Sequence, residues 1–236
     1  MCTVTIVPVG DGFRLACNRD ERRDRAPALP PDVHQLTHQT AIFPVDPVGQ
    51  GTWVGINGAG VVAALLNRTI DSAAPIDKSA RRSRGLIIPC LLDCTSLMDA
   101  LDISAALDPR DFDRFRLVVA QNTAAAIVTS DGVALSVERT KLSRPIMLTC
   151  SSLGDALVEG PRRRLFDKVF AGEERSWLRA QRRFHDHQWS SRRDISVKME
   201  RADATTVSHT VVTVSAGAIE LRYRVESEKP VVVTVA

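Results

Sequence analysis

A chain of 236 residues, 44% hydrophobic and 25% charged, can bury a substantial core and has the composition of a soluble globular protein, expected as one domain over residues 1–236. Its 31 Lys and Arg against 28 Asp and Glu leave a net charge of +3, too balanced to imply a nucleic-acid partner. No apolar run approaches the roughly 20 residues of a bilayer span and no basic head precedes an apolar stretch, so no integral membrane segment is expected and a cytoplasmic location is.

In chain order, short apolar runs meet at hairpin punctuation. "CTVTIVPV" and "FRLACN" flank Gly10-Asp11-Gly12, and a Pro- and charge-rich stretch, 22–31, then reads as a loop. "TWVGI" and "VVAALLN" flank "NGAG", and residues 85–107 are apolar at helical spacing in two pieces. "AAAIVTS" and "VALSVE" meet at Asp131-Gly132, residues 160–172 and 174–188 form a charged helical pair, and "HTVVTVS" and "IELRYRVE" flank Ala216-Gly217. Glycine and Asp-Gly supply the positive φ of tight turns, so the strand pairs are antiparallel. Helices segregated from such strands predict an α+β fold, two antiparallel sheets with helices on their outer faces.

Cys2 is the residue that folding does least to explain. Alone it reads as a small apolar residue beginning a strand. If Met1 is removed, it carries a thiol beside a free α-amine whose ordinary pKa, about 7.7 to 8.0, suits it as a base near neutral pH. Nucleophile and base then come from one residue. The first hairpin brings Asn18, Arg19 and Asp20 beside Cys2, where an aspartate can hold the ammonium and an arginine favours thiolate and oxyanion.

Other candidates have plainer readings. The cysteines are five, an odd and scattered set that predicts a reduced state. Cys90 and Cys94, one helical turn apart, read as core; His34 with His38 and His185 with His187 read as solvated rather than metal-binding. "RRSR" at 81–84 and "RRR" at 162–164 read as solvated helix ends. No metal or cofactor is called for.

The stretches "MCTVTIV", "LACNRDE", "GTWVGINGAGVVAALLN" and "SRGLIIPCLLD" resemble the NRDE family, whose eukaryotic members are called transport and Golgi organisation protein two. More distantly, the same landmarks are similar to the cysteine N-terminal nucleophile hydrolases that include bile salt hydrolase and penicillin V acylase. That resemblance implies a four-layer αββα sandwich. It also implies Cys2 as nucleophile and base, Asp20 as partner of the α-amine, Asn67 as oxyanion donor and Arg19 as supporting charge. Asn18, Asn57 in "GINGAGV", Arg84 in "SRG", Cys150 in "LTCSS" and Arg201 are the implied substrate-binding residues. Two positions depart from the hydrolases: Cys17 stands where they have an arginine, and Cys150 where they have an asparagine. The expected function is cleavage or transfer at an amide or ester bond of a small-molecule substrate through a Cys2 thioester. The alternative is a binding or trafficking protein of the same fold for lipid, acyl-CoA or haem.

Overall fold

The computed structural model describes residues 2–70, 81–215, 218–225 and 229–235. Met1 and the expected Ala216-Gly217 turn lie outside the described residues. The chain opens with the hairpin of β1 (Cys2–Val9) and β2 (Gly12–Arg22), turned at Gly10 with φ +58, a conformation glycine adopts without steric cost. Next come β3 (Leu29–Gln35), β4 (Thr40–Val45), β5 (Val54–Asn57) and β6 (Val62–Asn67), then α1 (Ile87–Leu92) and α2 (Leu97–Ala105). Four strands follow, β7 (Phe115–Gln121), β8 (Ala124–Ser130), β9 (Leu135–Lys141) and β10 (Ile146–Thr149). The helices α3 (Asp155–Val169) and α4 (Glu174–His185) lead to β11 (Ala204–Ser215), β12 (Ala218–Val225) and β13 (Val231–Val235).

Two antiparallel sheets result, ordered β10-β1-β2-β11-β12-β13 and β3-β4-β5-β6-β7-β8-β9. Period-two burial drives their stacking. Val4, Ile6, Leu15 and Val212 of the first sheet meet Ile56, Leu66 and Val118 of the second in the central core. On the far side of the second sheet, Val119 and Phe115 pack against Ile88, Leu91 and Leu101 of α1 and α2. Val7 and Met147 of the first sheet pack against Phe166 of α3 and Phe184 of α4. Each such side chain stabilises the fold by about 1.5–3 kcal/mol relative to exposure. The order of layers is therefore helices, sheet, sheet, helices, as the sequence predicts.

Two of the expected boundaries and one expected burial differ. Residues 29–31 of the expected loop belong to β3, where Pro30 and Pro31 are accommodated because β3 is a sheet edge and no ladder donor is needed. Helix α3 begins at Asp155, ahead of the expected 160, and Pro161 sits inside it. Proline favours a helix start, but here the start is set by Asp155, whose Oδ1 accepts from the Ser151 N–H at 2.9 Å and Oδ2 from Thr69 N–H at 3.2 Å. Cys94 is buried as expected, whereas Cys90 is exposed because it lies on the outer side of α1, away from Leu91 and Leu92.

Candidate active site

The hairpin register decides what surrounds Cys2. On β2 its direct partner is Arg19, and Val4 pairs with Cys17, so Cys17 is one diagonal step away on the same face. On the other flank Thr3 pairs with Thr149, and the next residue, Cys150, donates its N–H to the Cys2 carbonyl at 3.0 Å. The Cys2 N–H donates to Cys150 Sγ at 3.1 Å. Three of the five cysteines thus meet at one point, all buried in the central core.

They are not electrostatically equal. Cys17 donates a hydrogen bond to Cys2, which lowers the Cys2 thiol pKa against the opposing effect of burial; Arg19 pulls the same way. The same hydrogen bond, together with burial, pushes Cys17 well up. Burial pushes Cys150 up to about 12. Cys2 is the thiol placed to ionise, and the other two remain protonated.

Cys2 lines a cavity of about 290 Å³ together with Arg19, Asp20, Trp53, Asn67 and Arg84. Close backbone contact builds this wall. A Cβ on Gly51 would lie 2.3 Å from the Gly85 carbonyl carbon, so only glycine lets the 84–86 turn press against Gly51 and Thr52, where the Thr52 N–H binds the Gly85 carbonyl at 3.0 Å. That contact sets Arg84 at the cavity. Arg84 donates to the Arg114 carbonyl at 2.9 Å and, among the described residues, forms no ion pair. The Asn67 side-chain amide is likewise without a hydrogen bond among the described residues. Arg19 is held rigidly: its guanidinium lies 4.3 Å from the Trp53 ring centroid, and Nη2 binds Asp46 Oδ2 at 3.0 Å and Glu21 Oε2 at 3.3 Å. Asp46 also accepts from Arg25 Nη2 at 2.7 Å, and despite burial this bond and the Gly49 and Val48 N–H groups hold its carboxyl below the usual range.

Asp20 also lines this cavity and pairs with Thr206 of β11, where the register shifts between Thr206 and Ser208. Its Oδ1 accepts from Thr206 Oγ1 at 2.5 Å. Burial raises its pKa, opposed first by the charge of Arg162. Arg162 is the residue the sequence hides. Rather than solvated, it is 1% exposed, the largest fully buried side chain. It donates to Thr3 Oγ1 (2.8 Å), Thr149 Oγ1 (2.6 Å) and the Ile195 and Ser196 carbonyls (3.0 and 2.7 Å).

Three expected binding residues lie elsewhere. Asn18 faces α4, where Nδ2 donates to the His185 and Val197 carbonyls and Oδ1 contacts His185 Nδ1 at 3.0 Å and His209 Nδ1 at 2.7 Å. Strand alternation puts it on the face opposite Arg19. His185, expected in solvent, is buried in that network. Asn57 ties the β5–β6 turn to α1, donating to the Leu92 and Cys94 carbonyls and accepting from the Ala59 and Val61 N–H groups. Arg201 pairs with Asp203 at 3.0 Å, donates to Ser152 Oγ at 3.2 Å, and its charge opposes the rise of the Asp20 pKa. Among the described residues no group of three or more His, Cys, Asp or Glu is arranged to hold a metal ion, and no helix is long and apolar enough to cross a membrane.

The family model described as Transport and Golgi organisation 2 matches residues 1–217. No curated protein sequence matches the chain. Its fold is that of solved hydrolases at low identity. Penicillin V acylase from Agrobacterium tumefaciens aligns at 12% identity and TM-score 0.57 over 98% of this chain and 84% of that one. The Caenorhabditis elegans ortholog of N-acylethanolamine-hydrolyzing acid amidase aligns at 14% and 0.59 over 89% and 92%. Conjugated bile acid hydrolase from Clostridium perfringens, as a variant, aligns at 11% and 0.58 over 99% and 92%.

Proposed function

The chain belongs to the Transport and Golgi organisation 2 family, and on that premise we propose that it is a cysteine N-terminal nucleophile hydrolase or acyltransferase acting on an amide or ester bond. The observation that carries this reading is the cavity that Cys2, the uncommitted Asn67 amide and the Arg84 cation line together. With Met1 removed, the nitrogen now 3.1 Å from Cys150 Sγ becomes the α-amine. It takes the Cys2 proton, and Sγ attacks the carbonyl carbon. Asn67 donates to the developing oxyanion, and Arg84 favours the negative charge. The α-ammonium then protonates the leaving nitrogen or oxygen, and water or a second nucleophile resolves the thioester. An adjoining cavity of about 470 Å³, walled by Pro27, Ala28, Tyr223 and Val225 and sharing Arg19 with the first, offers room for an apolar acyl portion.

A chromogenic acyl ester tests this. Wild type is expected to give a burst of released alcohol and a hydroxylamine-sensitive acyl adduct on Cys2; an adduct on another residue, or equal reactivity in Cys2→Ala, overturns it. One observation favours a second reading, a non-catalytic carrier of lipid, acyl-CoA or haem: Cys150 spends its thiol on the Cys2 backbone and adds no amide donor to the cavity. Tight ligand binding that survives Cys2→Ala, with no turnover of any acyl substrate, selects that reading.

A further inference from the structure

Cys17 has no part in the acyl chemistry, yet it stands one diagonal step from Cys2 on the same face of the sheet. We propose that Cys2 and Cys17 are a redox pair, closing a reversible disulfide when a peroxide enters the cavity. This goes beyond the hydrolase reading and does not depend on it.

Access, order and partner choice follow from the geometry. Cys2 lines the cavity and Cys17 does not, so an oxidant reaches Cys2 first. The Cys2 thiolate attacks one peroxide oxygen and the O–O bond breaks. Sulfur, oxidised by two electrons, becomes the sulfenic acid, and the other oxygen leaves with a proton as water or alcohol. Cys17 is the resolving thiol because it is the diagonal neighbour of Cys2 on the same face of the sheet and is buried beside it in the central core. Its sulfur attacks the sulfenyl sulfur, the S–O bond breaks, and the Cys17 proton leaves with the hydroxyl as a second water. Cys150 is nearby but directed otherwise: its Sγ lies 3.1 Å from the Cys2 backbone nitrogen and 3.6 Å from the Cys2 carbonyl oxygen.

The resulting bond would be labile. Diagonal neighbours on paired strands are about 7–8 Å apart at Cα, at or beyond the usual span of a disulfide, so closure must draw Cys2 toward β2. Cys2 is the first residue of β1, where such a shift disturbs least. A strained disulfide is more readily reduced, which suits a regulatory rather than a structural bond. Closure removes the thiolate from the cavity, and a dithiol returns it by supplying two electrons and two protons.

The test uses the full chain carrying Cys90→Ser, since exposed Cys90 would otherwise cross-link copies. After hydrogen peroxide, alkylation and non-reducing trypsin digestion, cleavage at Arg14 separates the Cys2 and Cys17 peptides. The expected result is those two peptides joined, released by dithiothreitol, with the same link in Cys150→Ala. In Cys17→Ala, Cys2 is expected to advance to sulfinic acid instead. Cys2 sulfinic acid beside free Cys17 in the parent protein, a Cys2–Cys150 link, or an unoxidised Cys2 each overturns the proposal.

Discussion

The two faces of the β1–β2 hairpin hold comparable chemistry and use it differently. The outer face carries Thr3, Thr5 and Asn18 against Arg162, Gln181, His185 and His209, a set that as a composition looks more catalytic than its counterpart. There, however, the polar groups satisfy one another: Thr5 Oγ1 contacts His185 Nε2 at 2.8 Å and accepts from Gln181 at 2.9 Å, and both imidazoles converge on Asn18. The inner face carries Cys2 and Arg19 at a cavity, with Cys17 buried behind them, and Asn67 and Arg84 line the same cavity with donors to spare. A saturated network fixes structure; an unsaturated one bordering a cavity is available to a ligand.

Substitutions should separate the two faces. The largest effect is expected from Cys2→Ala, which should abolish acyl-adduct formation while leaving the thermal midpoint almost unchanged; Thr5→Val on the outer face should leave the adduct intact. Asn67→Ala is next: loss of one oxyanion donor should slow acylation about a hundred- to a thousandfold with little change in KM, read by burst kinetics. Arg162→Met should do the reverse. It leaves two carbonyls without this donor and the Thr3 and Thr149 hydroxyls with each other, and a loss of about 3 kcal/mol or more is expected in the unfolding free energy from urea titration, with Cys2 reactivity retained in the molecules still folded.

The smallest effect is a slope with pH. Burial holds His185 well below its usual value and His209 down to about 4. The unfolded chain therefore binds more protons than the folded one below about pH 6.5, and stability should fall as pH drops from there toward 4. His209→Gln should flatten that slope in urea titrations at successive pH values. An unchanged slope would mean that the imidazoles are not held neutral by this face.

The first hairpin made it legible that Asn18, Arg19 and Asp20 lie beside Cys2, but not which of them shares its face: Arg19 was expected to face away, whereas a two-residue turn at Gly10 and Asp11 pairs Arg19 directly with Cys2. The same arithmetic misplaced Asn18, since period two sends adjacent residues to opposite faces. Arg162 was illegible for another reason. Three consecutive arginines carry no information about which points inward; that depends on helical phase, which depends on a start at Asp155 that Pro161 obscures. Four hairpins announced themselves through glycine turns, whereas β10, four residues long, and proline-bearing β3 have little pattern to read. The "GTW" and "SRG" motifs were visible as words, but their meaning, glycine against glycine at a cavity wall, required the fold.

The central claim is that Cys2 works as a terminal residue, with its own amine as base. Intact mass and N-terminal peptide mapping of the purified protein, before and after reaction with the acyl ester, test it most directly. The account predicts a chain beginning at Cys2 and acylated on that residue's sulfur. An acylated chain that still carries Met1 would contradict it.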